Sequence, residues 1–228
     1  MKSKWLHQKK SDKLILFCNG WGMDEHPFTP LTSHAWNVLM FYDYTDFESD
    51  QDLQKLFAGY REIVLVAWSM GVWVGQQLFK PFVKHLSASL AINGTLCPVD
   101  DQFGIPKSVV QATLDNLDEK QRMKFYKRTC WDTALYRSFL ENQPRRSVES
   151  QKKELSALLE NILGRSSSEE SIYDCALVAE QDHIMPTRNQ LRFWPENITR
   201  RVMGTHFPFY GYENWDNIVA IGALKTKV

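Results

Sequence analysis

The sequence predicts an α/β fold, a mostly parallel sheet flanked by helices with a helical cap inserted into it, and three observations carry that prediction. Short apolar runs without polar alternation recur at 14–18, 38–42, 63–66, 88–92 and 175–179, which is how strands buried on both faces of a parallel sheet read. Stretches with apolar residues at helical spacing lie between them. From 106 to about 164 the pattern is helical only and too long for a crossover, so about 105–165 is assigned to an inserted cap within a single domain, 1–228.

In chain order, residues 4–8 make a first strand and Lys9-Lys10-Ser11-Asp12 a polar turn into the strand at 14–17, so the chain is expected to open with a short hairpin at the sheet edge. After Gly22 come residues 23–28 and a helix, then the strand at 38–42. Leu53, Leu56 and Phe57 recur at helical spacing within 50–57 and place one face on the sheet. The strand at 63–66 leads into a helix at 70–79, and the strand at 88–92 ends in the loop Asn93-Gly94-Thr95. In the cap the apolar positions are Val109, Val110, Leu114 and Leu117, then Met123, Tyr126 and Cys130, then Leu155, Leu158, Leu159 and Ile162. Ser166-Ser167-Ser168 marks its end, the sheet resumes at Ala176, 201–203 supplies a late strand, and 212–223 closes the chain as a helix.

At 228 residues the chain can bury a substantial core. Lys plus Arg equals Asp plus Glu at 27 each, so the zero net charge gives no global argument for nucleic acid or a membrane surface, and a charged partner must be met by a local patch. The cysteines at 18, 97, 130 and 175 have no metal-like spacing and read as reduced, mostly buried thiols. No charged-then-apolar leader opens the chain and no apolar stretch is long enough to span a bilayer, so a soluble cytoplasmic protein is the default expectation.

The chemistry is organised around Ala67-Trp68-Ser69-Met70-Gly71, which places Ser69 on a strand-to-helix turn. Small residues two before and two after such a serine let strand and helix approach, while the turn presents the hydroxyl outward. Ala67 stands where glycine is usual and adds only a methyl group. Alone, the motif is also compatible with a serine that merely caps the helix.

Three further polar groups follow apolar runs: Asn19-Gly20-Trp21-Gly22, Glu180-Gln181-Asp182 and Gly204-Thr205-His206. The carboxyl ends of parallel strands are where such a sheet gathers its functional loops. The chain order Ser69, Asp182, His206 is that of α/β-hydrolases. A serine hydroxyl is a poor nucleophile until a histidine takes its proton, and an acid must hold that histidine in the right tautomer. The oxyanion formed at an attacked ester carbonyl needs preorganised donors, for which the backbone N–H groups of Trp21 and Met70 are the candidates.

His183, His26 and His34 compete for the base. Position after a late strand favours His206. Asp174 precedes its strand and Asp100 and Asp101 trail theirs, which leaves Asp182. Cys18 ends a buried strand and reads as a core thiol. Trp21 and Trp68 are candidates to line an acyl pocket, with ordinary core as the competing reading. This set of residues calls for no cofactor and no metal.

Four stretches carry a family resemblance: Asn19-Gly20-Trp21-Gly22-Met23, Ala67-Trp68-Ser69-Met70-Gly71, Gln181-Asp182-His183-Ile184-Met185-Pro186 and Gly204-Thr205-His206-Phe207-Pro208-Phe209. Together they resemble the pimeloyl-[acyl-carrier protein] methyl ester esterases of biotin synthesis, in the short BioG form. Asn19 in place of a histidine and Ala67 in place of a glycine fit that form. The resemblance implies an α/β-hydrolase that removes the methyl group masking a pimeloyl chain, with acyl carrier protein as partner.

Lys120, Lys124, Lys127 and Arg128 fall on one face of a cap helix, and Arg137, Arg145, Arg146, Lys152 and Lys153 add positive charge that seven nearby acidic residues dilute. A plain solvated face is one reading. Given an acidic carrier, the other is a steering rim whose contacts include Lys124, Arg128, Arg145 and Arg146. Two function classes stay open beside the carrier-linked esterase: a small-molecule carboxylesterase or thioesterase of the same fold, and a binding module with an inert site.

Overall fold

In the computed structural model, which describes residues 1–164 and 170–223, the apolar runs pair into one seven-stranded sheet. Its spatial order is β1 (Lys2–His7), β3 (Asn37–Tyr42), β2 (Lys13–Cys18), β4 (Glu62–Trp68), β5 (Ala88–Ile92), β6 (Cys175–Gln181) and β7 (Thr199–Thr205). Only the β1–β3 pair is antiparallel. The period-two geometry of a strand divides the inner runs between two cores. Leu14, Leu16, Leu65 and Ala67 join one, while Ile15, Phe17, Val64, Val66 and Trp68 join the other. Helix α2 (Met70–Phe79) lays Val72, Trp73 and Val74 on the first, and α8 (Trp215–Ala223) lays Trp215, Ile218 and Val219 on the second.

The hairpin expected at the sheet edge does not form. The chain does reverse near 9–12, but β3 comes to lie between β1 and β2, with Lys4 opposite Met40 and Leu16 opposite Leu39. β2 is buried on both faces and needs neighbours on both sides, whereas β1 alternates exposed residues and tolerates an edge. After Gly22 there is no α-helix before β3, only a 3₁₀ turn at His26–Phe28, because Asp24 takes the His26 N–H and Pro27 follows at once. Helix α1 (Leu53–Ala58) forms where expected, with Asp52 capping it and Phe57 buried. A helix not foreseen, α7 (Thr187–Phe193), starts directly behind Pro186.

Between β5 and β6 run four helices, α3 (Lys107–Asn116), α4 (Glu119–Cys130), α5 (Thr133–Glu141) and α6 (Val148–Leu163). Asp118, Asp132 and Ser147 start the last three by accepting the N–H groups of Gln121, Leu135 and Ser150. α3 and α6 bury Val110, Leu155 and Leu158 against one core, and α4 and α5 bury Tyr126, Cys130 and Phe139 against the other. The insertion therefore straddles the two layers. The serine run at 166–168 lies outside the described residues. Among the described residues no helix is long and apolar enough to cross a membrane.

Candidate active site

Ser69 sits between β4 and α2 with φ 58° and ψ −127°, a backbone conformation that residues with side chains rarely adopt. Close packing around it holds that shape. A Cβ on Gly71 would come within 2.3 Å of the Asn19 carbonyl oxygen and 2.4 Å of that of Cys18, and a Cβ on Gly94 within 2.3 Å of the Ser69 carbonyl oxygen. Ala67 is fully buried at the other small position, so the elbow forms with its extra methyl group.

Parallel registration brings the ends of β4, β6 and β7 to one edge of the sheet. His206 Nε2 lies 2.9 Å from Ser69 Oγ, and His206 Nδ1 lies 2.8 Å from Asp182 Oδ2. Since an ionised carboxylate only accepts, the Nδ1–H donates to Asp182 and the Nε2 lone pair receives the Ser69 hydroxyl. The histidine is 1% exposed. Asp182 Oδ1 accepts the Ile184 and Met185 N–H groups at 2.8 and 2.9 Å, and Gln190 Nε2 donates to Oδ2 at 2.8 Å. The His206 carbonyl accepts from Trp68 Nε1 at 2.7 Å and from Asn93 Nδ2 at 3.0 Å, while Asn93 Oδ1 accepts the Ala179 N–H. Asn93 thus ties the ends of β5, β6 and β7 together, a role nothing in its sequence context marked.

The 19–22 turn ends β2 beside the elbow, with a Cβ on Gly20 falling 3.3 Å from Ser69 Cβ. The Gly20, Gly22 and Met23 N–H groups donate to Asn19 Oδ1, Glu154 Oε2 and the Gly20 carbonyl. Those of Trp21 and Met70 have no acceptor among the described residues. Ser69, His206 and both tryptophans line a cavity of about 550 Å³, including its open mouth, whose other walls are mostly apolar: Ile105, Val109, Val110, Phe125, Leu155 and Ile184. Trp68 and Trp21 each have a second engagement, their indole N–H groups donating to His206 and Gln151 carbonyls. The cavity shares Val109, Thr113, Phe125 and Arg128 with a groove between α3 and α4 that Lys124 also lines.

The basic residues divide. Lys124 and Arg128 are exposed at that groove, and Arg128 Nη2 also donates to the His183 carbonyl at 2.7 Å. Arg145 is exposed over a separate hollow shared with His26 and Arg122. Arg146 must be withdrawn from any partner surface: its side chain is 7% exposed and lies 2.5 Å from Glu154 Oε2 and 3.0 Å from Asp43 Oδ1. Burial pushes the Glu154 carboxyl up from its usual range, with the Arg146 guanidinium opposing.

The competitors are otherwise occupied. His183 stacks on the exposed Trp131, and His26 bonds Asp24, whose other oxygen takes the Arg145 N–H. Asp24, Glu25 and His26 bring ligand-type atoms within 4.8 Å of one another, but the Asp24 oxygens are taken by these N–H groups. Asp174 binds Ser89, and Asp100 and Asp101 receive local N–H groups. Complete burial pushes the Cys18 thiol far up, away from a reactive thiolate.

A serine on a strained strand-to-helix turn, joined through a histidine to an aspartate from later strands of a mostly parallel sheet, is the arrangement of the α/β-hydrolase fold. A carboxylesterase structure from Nitrososphaera gargenis shares that fold, with a TM-score of 0.62 at 14% identity over 99% of this chain and 94% of its own. The chain belongs to the pimeloyl-ACP methyl esterase BioG family, whose model matches residues 1–218. A crystal structure of BioG from Haemophilus influenzae matches with a TM-score of 0.85 at 32% identity, covering 95% of this chain and 99% of that one. A Haemophilus influenzae protein described as uncharacterized is 34% identical over 217 residues, 94% of this chain and 97% of its own. A malonyl-[acyl-carrier protein] O-methyltransferase from Bacteroides fragilis is 38% identical over 199 residues, 85% of this chain but only 39% of that protein's length.

Proposed function

We propose that the chain is a serine esterase that hydrolyses the methyl ester of pimeloyl-acyl carrier protein in biotin synthesis, releasing methanol. The observation that carries this reading is the unbroken relay from Ser69 through His206 to Asp182 in the wall of an apolar cavity, in a chain of the BioG family. With Nδ1–H held by Asp182, His206 Nε2 takes the Ser69 proton as Oγ attacks the ester carbonyl. The oxyanion is met by the Trp21 and Met70 N–H groups. As the C–OCH₃ bond breaks, His206 gives its proton to the departing methoxide. Water, deprotonated by His206, then attacks the acyl-serine; as the C–Oγ bond breaks, His206 returns that proton to Ser69, and the released carboxylic acid gives up its own proton to solvent.

The apolar walls suit a methylene chain, and the groove past Lys124 and Arg128 gives a carrier-tethered arm a way out. The Bacteroides relative's name describes putting an O-methyl group on a carrier-bound malonyl unit; the reading here is the removal of one. The test compares turnover of methyl pimeloyl-carrier with that of short free esters, with Ser69→Ala as control. A strong preference for the carrier-bound ester is expected. Comparable rates would favour a general carboxylesterase or thioesterase, and no turnover of any ester or thioester a binding module.

A further inference from the structure

The 19–22 turn is held at its Asn19 end by β3 and Tyr44, and at Trp21 and Gly22 by the helical insertion. Gly22 is gripped on both sides: its N–H donates to Glu154 Oε2 at 3.0 Å, and its carbonyl accepts from Gln151 Nε2 at 2.7 Å. The Trp21 indole N–H donates to the Gln151 carbonyl at 2.8 Å. The other Glu154 oxygen accepts the Tyr44 N–H at 3.0 Å, and the Tyr44 hydroxyl sits 2.8 Å from the Asn19 carbonyl. Gln151 and Glu154 stand three apart on α6, hence on one face, and both are buried.

Gly22 has φ 77°, and a Cβ there would meet Gln151 Nε2 at 3.3 Å, so turn and helix are fitted to each other. A buried carboxylate is a costly choice for packing alone. Here its acceptor capacity serves two backbone N–H groups from the ends of β2 and β3, and Arg146, itself paired with Asp43, balances its charge.

We infer that Glu154 and Gln151 are positioning residues, which fix the 19–22 turn so that the Trp21 N–H stands ready for the developing oxyanion. The inference rests on the reading of Trp21 as an oxyanion donor. Neither side chain lines the cavity, so they act through the turn and not on the substrate. It follows that α6 is part of the catalytic frame and cannot swing away as a lid while the turn keeps its shape.

The test uses Glu154→Gln and Gln151→Met with a short aryl ester, active sites being titrated with an organophosphonate. A trifluoromethyl ketone, which adds the serine oxygen to form a hemiketal oxyanion, reports on the donors directly. Since outright loss of an oxyanion donor costs about 10²–10³ in kcat, misplacement by Glu154→Gln is expected to cost about 10–100-fold per titrated site. KM should stay within about threefold, and ketone affinity should fall in step with kcat/KM, as for a group whose effect is confined to the transition state. Gln151→Met should act in the same direction and less strongly; it leaves the Glu154–Arg146 pair intact and carries the test alone if Glu154→Gln fails to fold. Unchanged kcat per titrated site and unchanged ketone affinity, even with a lowered melting temperature, would reduce both residues to packing and overturn the inference. Full turnover by Ser69→Ala would instead overturn the reading of the site itself.

Discussion

The two halves of the site draw their support from different parts of the molecule. Ser69, His206 and Asp182 stand at strand ends and are steadied by Trp68 and Asn93 on the His206 carbonyl and by Gln190 of α7 on the Asp182 carboxylate. The 19–22 turn also follows a strand, and its Asn19 end is tied to β3 and Tyr44, yet at Trp21 and Gly22 its hydrogen bonds run to α6. A change on α6 should therefore damage the proposed oxyanion side and spare the relay. A change at a strand end should do the reverse.

The largest expected effect tests the relay. Ser69→Ala and His206→Ala should each lower kcat by about 10⁴–10⁶, and the double variant should lose little more, because the residues act as a unit. Asp182→Asn should cost about 10⁴ through the wrong histidine tautomer. Single-turnover kinetics on a free ester would check all four, and additive losses would break the relay half of the comparison.

That half was legible in the sequence because each of its residues closes an apolar run, and parallel strands put such ends on one edge. Gly71 was legible too, as the small residue an elbow requires. The proposed oxyanion side was only half visible. Asn19 to Gly22 announced a turn, but what braces it sits on α6, far along the chain, among Lys152, Lys153 and Glu149 that read as a solvated face. A signal existed: Gln151 and Glu154 share the helical stripe of Leu155, Leu158 and Ile162, and polar residues on an apolar stripe are buried with partners. Arg146 was misplaced for the same reason, since Asp43 and Glu154 neutralise it across the fold. The edge hairpin failed because β3 inserts from later in the chain.

Gly71 is where the two halves touch, so Gly71→Ala should harm both. A Cβ there would collide with the carbonyls of Cys18 and Asn19, backbone that cannot turn aside. Urea unfolding should show a loss of about 1–3 kcal/mol, as overpacked sites do. Activity on a free ester should fall with it, while Ala67→Gly should change either quantity little. A wild-type stability for Gly71→Ala would mean that elbow and turn are less tightly joined than their packing indicates.

A smaller effect separates the mouth from the interior. Lys124→Glu, exposed beside the groove, should raise KM for the carrier-bound ester by about tenfold and flatten its salt dependence, leaving a free ester within twofold. Arg145→Glu, over the separate hollow, should do less. Equal losses on both substrates would place Lys124 in the support of α4 and not in docking.

The smallest effect lies in the pH dependence of stability, where the two carboxylates flanking Arg146 move in opposite directions. Burial raises Glu154 above its ordinary 4.5, whereas at Asp43 burial is outweighed by Lys2, Thr45 and Arg146, so that carboxyl is lowered below 3.8. For Glu154 the folded state holds the proton longer than the unfolded chain, so its contribution is full below 4.5 and is lost as pH rises through the folded pKa. For Asp43 the unfolded chain takes the proton first, so its contribution is full above 3.8 and is lost as pH falls. The melting temperature of wild type relative to Glu154→Gln should therefore decline as pH climbs above 4.5, and relative to Asp43→Asn as pH drops below 3.8. Opposite slopes at the two ends would show that Arg146 serves two buried carboxylates, one whose proton burial retains and one whose partners hold it ionised. A common slope would mean that the brace titrates as a single unit.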